Sequence, residues 1–187
     1  MPIDLKKLQI ENTALPNAPQ DILCAFNKMG QSPSSETASA TFNMNGVTGT
    51  IVLSEGAGGV IVMIRLKGVP AGEHGLHVHQ CGDIGGDACK RCGSHFDPRH
   101  THHGGTHGAD RHPGDLGNVT ADASGDVRAQ VLIPRMKLSA LYGRSIVLHA
   151  GKDDLGRGRG PARPESLKTG NSGARLACAV IGRSGCP

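Results

Sequence analysis

The sequence predicts an all-β domain, an antiparallel sandwich or barrel carrying two elaborated loops. Three observations predict it. Gly 28 and Pro 11 are high while Trp is absent and Tyr 1 and Phe 3 are scarce, a mix that suits many short strands, joined by turns, around an aliphatic core. Short β-branched segments recur between clusters of turn residues. Two longer stretches, Gly82–Pro113 and Gly151–Ser172, have no strand pattern and are full of Gly, Asp, Arg and His, and long structureless loops in a compact domain are usually functional.

Along the chain, residues 1–37 read as an N-terminal extension. They hold Pro2, Pro16, Pro19 and Pro33 and the polar run QSPSSETAS without sustained periodicity. The expectation is a partly disordered arm with at most a short helix over Asp21–Met29. Residues 38–187 form the domain. Its predicted strands are Thr50–Leu53, Val60–Leu66, Gly75–His79, Val127–Ile133, Ser145–His149 and Leu176–Ile181. The clusters SEGAGG and DASGD sit at hairpin spacing. No internal repeat and no second domain is visible.

A chain of 187 residues suffices for one ordinary domain. The net charge of +4 is modest, and scarce aromatics with no dense Lys/Arg run argue against nucleic-acid binding. No stretch approaches the roughly 18 apolar residues of a membrane span. Lys6 and Lys7 precede no apolar run of signal-peptide length, so a cytoplasmic location is expected. The cysteines Cys24, Cys81, Cys89, Cys92, Cys178 and Cys186 are too few and scattered for a disulfide-dense scaffold.

All ten histidines lie between His74 and His149. A lone histidine is most often a surface or satisfied core residue, but spacing separates these into groups. His77 and His79 form H-x-H in a strand pattern, so both imidazoles project from one face towards one ion. His149 ends the apolar strand SIVLH and offers a third nitrogen, a donor set that suits copper, zinc or iron. In the long loop, His95, His103, His112 and Asp115 make a closed tetrahedral zinc set. His100, His102 and His107 lie in the same loop, and spacing alone does not choose among them. A generic metal-scavenging loop would look similar.

The segments GLHVHQCGD, GSHFDP, HHGGTHGADRHPGDLGNVTAD, VLHAGKDDLGRG and TGNSGARLACAVIG resemble the motifs of the copper/zinc superoxide dismutase family, in the family's order, from about residue 38 to near the C-terminus. The resemblance implies an eight-stranded Greek-key barrel or sandwich with a metal-binding loop and an electrostatic loop. It implies one copper and one zinc per chain, and an enzyme that turns two superoxide anions and two protons into oxygen and hydrogen peroxide by alternating Cu(II) and Cu(I). His77, His79 and His149 match copper ligands, and His95 matches the histidine that bridges copper and zinc. His103, His112 and Asp115 complete the zinc set, which favours His103 over His100, His102 and His107. Arg175 matches the arginine that guides the anionic substrate, and Arg157, Arg159, Arg163 and Lys168 extend its field. Asp153 matches a carboxylate linking a copper histidine to a zinc histidine. Cys89 and Cys178 match the intrasubunit disulfide, whose closure the chain-entropy model values at roughly 4–5 kcal/mol.

The sequence also departs from the family pattern. The two loops run longer than in the common animal form, and Cys81 and Cys92 are additional thiols. Cys81, Tyr142 and Arg183 fall where the usual dimer interface is apolar, so a homodimer with altered packing is expected. Leu176 replaces a proline associated with dependence on a copper chaperone, so a chaperone is a partner that maturation does not require. The alternative function is a non-catalytic copper-binding or chaperone-like domain, but such domains often lack a copper ligand or the guiding arginine.

Overall fold

The computed structural model describes residues 36–108 and 110–184. The expected extension, apart from Glu36 and Thr37, and its Asp21–Met29 helix lie outside these, as do Cys24 and Cys186. The described chain is all-β, with strands β1 (Thr37–Met44), β2 (Val47–Gly56), β3 (Gly59–Lys67), β4 (Gly72–His79), β5 (Asp115–Ala121), β6 (Val127–Pro134), β7 (Ser145–His149), β8 (Arg175–Val180) and β9 (Gly182–Ser184). All pairings are antiparallel, in the order β8-β7-β4-β5-β6-β3-β2-β1-β9. The neighbours β3–β6 and β4–β7 are not consecutive in the chain, the crossing pattern of a Greek key. Only Ile181 separates β8 from β9, which occupy opposite ends of this order. One chain segment therefore nearly closes the sheet into a barrel, and its break at Ile181 turns the expected eight strands into nine.

The two predicted hairpins form where the turn clusters lie. SEGAGG spans the β2–β3 connection, closed by the pair Gly56 and Gly59, and DASGD joins Ala121 to Val127. Three strands were not legible in the sequence: β1, β5 and the three-residue β9. In β1 the inward positions Ala38, Ala40 and Phe42 alternate correctly, but alanine is a weak strand signal. In β5 the alternation begins inside the histidine-rich stretch and is interrupted by Gly117 at φ 79.

Alternation along β4 and β7 positions the site. Leu76 and Val78 of β4 enter the core beside Ile146 and Leu148 of β7, all fully buried. The period of two then sends His77 and His79 to the other face, which the long loops cover, so the end of β4 is buried on both faces. The loops are less structureless than their composition suggests. Asp87–Cys92 forms a 3-10 helix and Arg163–Thr169 a short helix, α1, with proline in its first turn. No described helix is long and apolar enough to cross a membrane.

Candidate metal centre

β4 carries His77 and His79, β7 pairs with it through His77 and Val147, and β8 sets Arg175 opposite His149. Irregularities in the pairing fall at Gly75/His77 and at Leu148/His149. Such bulges re-aim side chains beside functional sites. An isolated bridge from His79 to His95 brings in the long loop.

Ring nitrogens of His77, His79, His95 and His149 lie within 4.8 Å of one another, and all four residues are buried. Their hydrogen bonds decide which nitrogen faces inward. Nδ1 of His79 lies 2.9 Å from the Gly93 carbonyl and Nδ1 of His149 lies 3.2 Å from that of Gly173. A carbonyl only accepts, so both Nδ1 atoms carry the proton and both Nε2 atoms present lone pairs. Those two Nε2 atoms face each other at 3.4 Å. His77 donates through Nε2 to Asp153 Oδ2 at 2.9 Å, leaving Nδ1 without a partner, and Nε2 of His95 is likewise unpaired. Buried polar atoms normally have partners, and lone pairs converging in a dry pocket fit a cation.

A second set surrounds Asp115, whose Oδ1 lies 2.9 Å from Nδ1 of His95, 2.9 Å from Nδ1 of His103 and 3.2 Å from Nδ1 of His112. On ligand-atom separations alone the second group is His77, His95, His103 and Asp115. With His77 already in the first group, His112 is the fourth candidate: its Nε2 faces the Thr101 carbonyl at 3.2 Å and its Nδ1 points at Asp115 Oδ1, also at 3.2 Å. Three imidazoles and one carboxylate, all buried, match a closed zinc site. His95 faces both sets, one nitrogen to each.

The electrostatics agree with this reading. Burial and neighbouring imidazoles lower the pKa of His77 to about 3 and that of His79 to about 2. For His149, burial outweighs a hydrogen bond to Gly173 and lowers it to about 4. All three therefore stay neutral, as a ligating imidazole must. Burial also opposes charge on His103, but hydrogen bonds to Asp115 and Asp153 outweigh it and raise the pKa to about 9. Burial alone would raise Asp115 and Asp153, yet their histidine hydrogen bonds hold both well below the usual carboxylate range.

Supporting residues hold these rings in place. Asp153 lies 2.9 Å from His77 Nε2 and 2.8 Å from His103 Nε2, so one carboxylate orients a ring in each set. Asn118 fixes Asp153 by two bonds of 2.8 Å to its backbone. Arg111 donates to the carbonyls of His112 and Asp115, and His74 spans the carbonyls of Pro70 and His149. Gly170, at φ 70, leaves no room for a Cβ against Asp153 Oδ1 and His103 Nε2. Asn118, Arg111 and Gly170 escaped the sequence reading because each acts through tertiary contact, with no periodicity or spacing to mark it.

Arg175 borders a cleft of about 390 Å³ that His79, His95, His149 and Lys168 also line. Its guanidinium donates to the carbonyls of Cys89 at 2.5 Å, Lys90 at 3.3 Å and Gly93 at 2.6 Å. Cys89, within the 3-10 helix, is bonded to Cys178 on β8. The disulfide thus ties down the loop that holds the arginine. Of the loop cations expected to extend its field, Lys168 reaches this cleft, while Arg157, Arg159 and Arg163 do not line it. His100 and His102 line a neighbouring cleft with His95 and His112, and His107 belongs to neither ligand set.

Residues 47–181 match the family model described as copper/zinc superoxide dismutase. The chain belongs to this family. An extracellular copper/zinc superoxide dismutase of Onchocerca volvulus is 45% identical over 142 residues, covering 73% of this chain and 70% of that protein. A copper chaperone for superoxide dismutase from Rattus norvegicus is 45% identical over 148 residues, covering 72% of this chain and 53% of the chaperone. The chain thus spans about half the length of that chaperone relative. The crystal structure of the clock protein EA4 superposes with a TM-score of 0.73 at 38% identity, covering 81% of this chain and 97% of that one. The family therefore includes both enzymes and chaperones among this chain's relatives, and implies copper and zinc as its metals.

Proposed function

We propose that the chain is a superoxide dismutase, carrying one copper held by His77, His79, His95 and His149 and one zinc held by His95, His103, His112 and Asp115. The observation that carries this reading is the pairing of a buried, lone-pair-rich imidazole set with Arg175 in one cleft. Copper, when bound, would supply one-electron exchange, and zinc a fixed charge beside it. The chain's own residues supply the rest. Arg175 offers a positioned cation for a small anion, held by carbonyl anchors in a cleft that Lys168 and Glu165 also line. Strand-borne His77, His79 and His149 keep the donor set rigid. His95 lines the same cleft, and its unpaired Nε2 could hold a proton whenever it holds no metal. Asp153 accepts from Nε2 of both His77 and His103, so that Nδ1 is the nitrogen each ring turns to its ligand set.

The second reading, a non-catalytic chaperone-like domain, is favoured by the likeness to copper chaperones. Against it stand His149 and Arg175, which complete the copper set and the anion guide. Metal analysis of the purified chain beside a superoxide-consumption assay separates the two. About one copper and one zinc per chain with activity abolished by His149→Ala is expected. Full loading with no activity in the parent protein would overturn the enzymatic reading. A homodimer with packing altered around Cys81, Tyr142 and Arg183 completes the proposal, and sedimentation analysis tests it.

A further inference from the structure

Arginine collects in a second cleft, of about 210 Å³, between the long loop and the end of β6. Arg99, Arg111 and Arg135 line it, and the remaining wall is proline, glycine, isoleucine and methionine, with no carboxylate. It shares no residue with the cleft beside Arg175. Like charges around a concavity repel, although solvent screens the exposed Arg99 and Arg135 more than the buried Arg111. Asp115 faces three imidazoles and leaves no oxygen in this cleft.

Arg111 is the informative residue because it is only 4% exposed. Its Nη1 donates to the carbonyls of His112 at 3.1 Å and Asp115 at 2.6 Å, while Nε and Nη2 have no partner among the described residues. Arg99 is held beside it by a 2.9 Å bond from Nη2 to the Arg111 carbonyl. Arg135 is turned into the rim by a left-handed backbone at φ 55, held by a 2.7 Å bond from its amide to the Gly58 carbonyl. Its side chain has no ion pair among the described residues.

We propose that this cleft is a binding site for a multiply charged oxyanion of the phosphate class. Guanidinium forks match the tetrahedral oxygens of phosphate in geometry and charge, and apolar walls sharpen the attraction. The bound anion would relieve the repulsion and use the spare donors of Arg111. Through Nη1 of Arg111 it would also steady the turn that carries His112 and Asp115. The inference does not depend on the redox reading, because none of the three arginines belongs to either metal set.

Calorimetric titration of the full chain with inorganic phosphate and with pyrophosphate, at ionic strength fixed by chloride, tests this. A saturable site that persists in Arg175→Ala is expected, with pyrophosphate binding tighter. The double variant Arg99→Ala/Arg135→Ala should weaken binding by about tenfold or more, the loss of one or more charge-assisted bonds. Both side chains are exposed, so the fold should persist. Arg135→Ala alone serves as the milder variant, with a smaller weakening expected. Arg175→Ala should leave this affinity unchanged. Binding that is no stronger than chloride, that survives the double variant, or that vanishes in Arg175→Ala would overturn the assignment.

Discussion

Replacing Asp153 by Asn changes one atom type and should separate the two metal sets. The carboxylate now accepts three bonds: from His77 Nε2 at 2.9 Å to Oδ2, and from His103 Nε2 at 2.8 Å and the Leu155 amide at 2.7 Å to Oδ1. An amide keeps one acceptor oxygen and gains two donors. Retaining two bonds rather than one places that oxygen at the Oδ1 position and turns the NH₂ towards His77. His77 Nε2 must then accept, which moves its proton to Nδ1, the nitrogen that faces the copper set. Loss of such a supporting bond lowers metal affinity by about 10–100-fold, or about 1.4–2.7 kcal/mol. The loss should fall mainly on the His77 set, with the Asp115 set weakened less because His103 keeps its partner. Chelator competition read separately for copper and zinc measures both. Equal losses at the two sites, or copper affinity unchanged within about threefold, would refute the tautomer argument.

Four further outcomes follow from the same geometry. Arg175→Ala should lower the superoxide rate by roughly tenfold or more and flatten its dependence on salt, since one positioned cation draws in the anion; stopped-flow decay at several ionic strengths reads both. Cys178→Ser opens a closure of 89 residues and should cost about 4–5 kcal/mol in urea unfolding. It should also loosen Arg175, whose anchor is the Cys89 carbonyl. Gly170→Ala should cost at least about 1–2 kcal/mol from its left-handed backbone alone and should release zinc, because its Cβ would displace Asp153 or His103; thermal melts of loaded and metal-free protein separate the two effects. The metal-free protein should be most stable near pH 6.5. The folded pKa values of His77 and His149, about 3 and 4, lie below the ordinary 6.5, so their contribution is full above 6.5 and is lost as pH falls towards 4 and 3. His103, raised to about 9, contributes fully below 6.5 and loses that contribution as pH rises through 9. Urea midpoints of metal-free protein from acid to alkaline pH should trace this maximum, and a flat profile would contradict it.

Reading the chain by residues alone reached some elements and missed others for definite reasons. The strands β3, β4, β6 and β7 were legible because Val, Ile and Leu alternate or run together between turn residues. No such signal marks β1, whose inward positions are mostly alanine, or β5, which starts inside the metal loop. The H-x-H of β4 was legible because strand geometry alone places positions i and i+2 on one face. Choosing His103 over His100, His102 and His107 needed the family pattern, and the structure places His103 between Asp115 and Asp153 while the other three lie outside both sets.

By itself, then, the sequence determined the class of fold, the strand-borne histidine pair and the presence of a donor-rich loop, because these follow from local periodicity and composition. Only the tertiary structure decided which nitrogen of each ring faces inward, which carbonyls hold Arg175, that Asp153 spans both sets, and that three arginines share a cleft without an acid. Those features depend on pairs separated by up to 86 residues, as between Cys89 and Arg175. Such contacts are set by how strands register and loops pack, and leave no mark on the local order of residues.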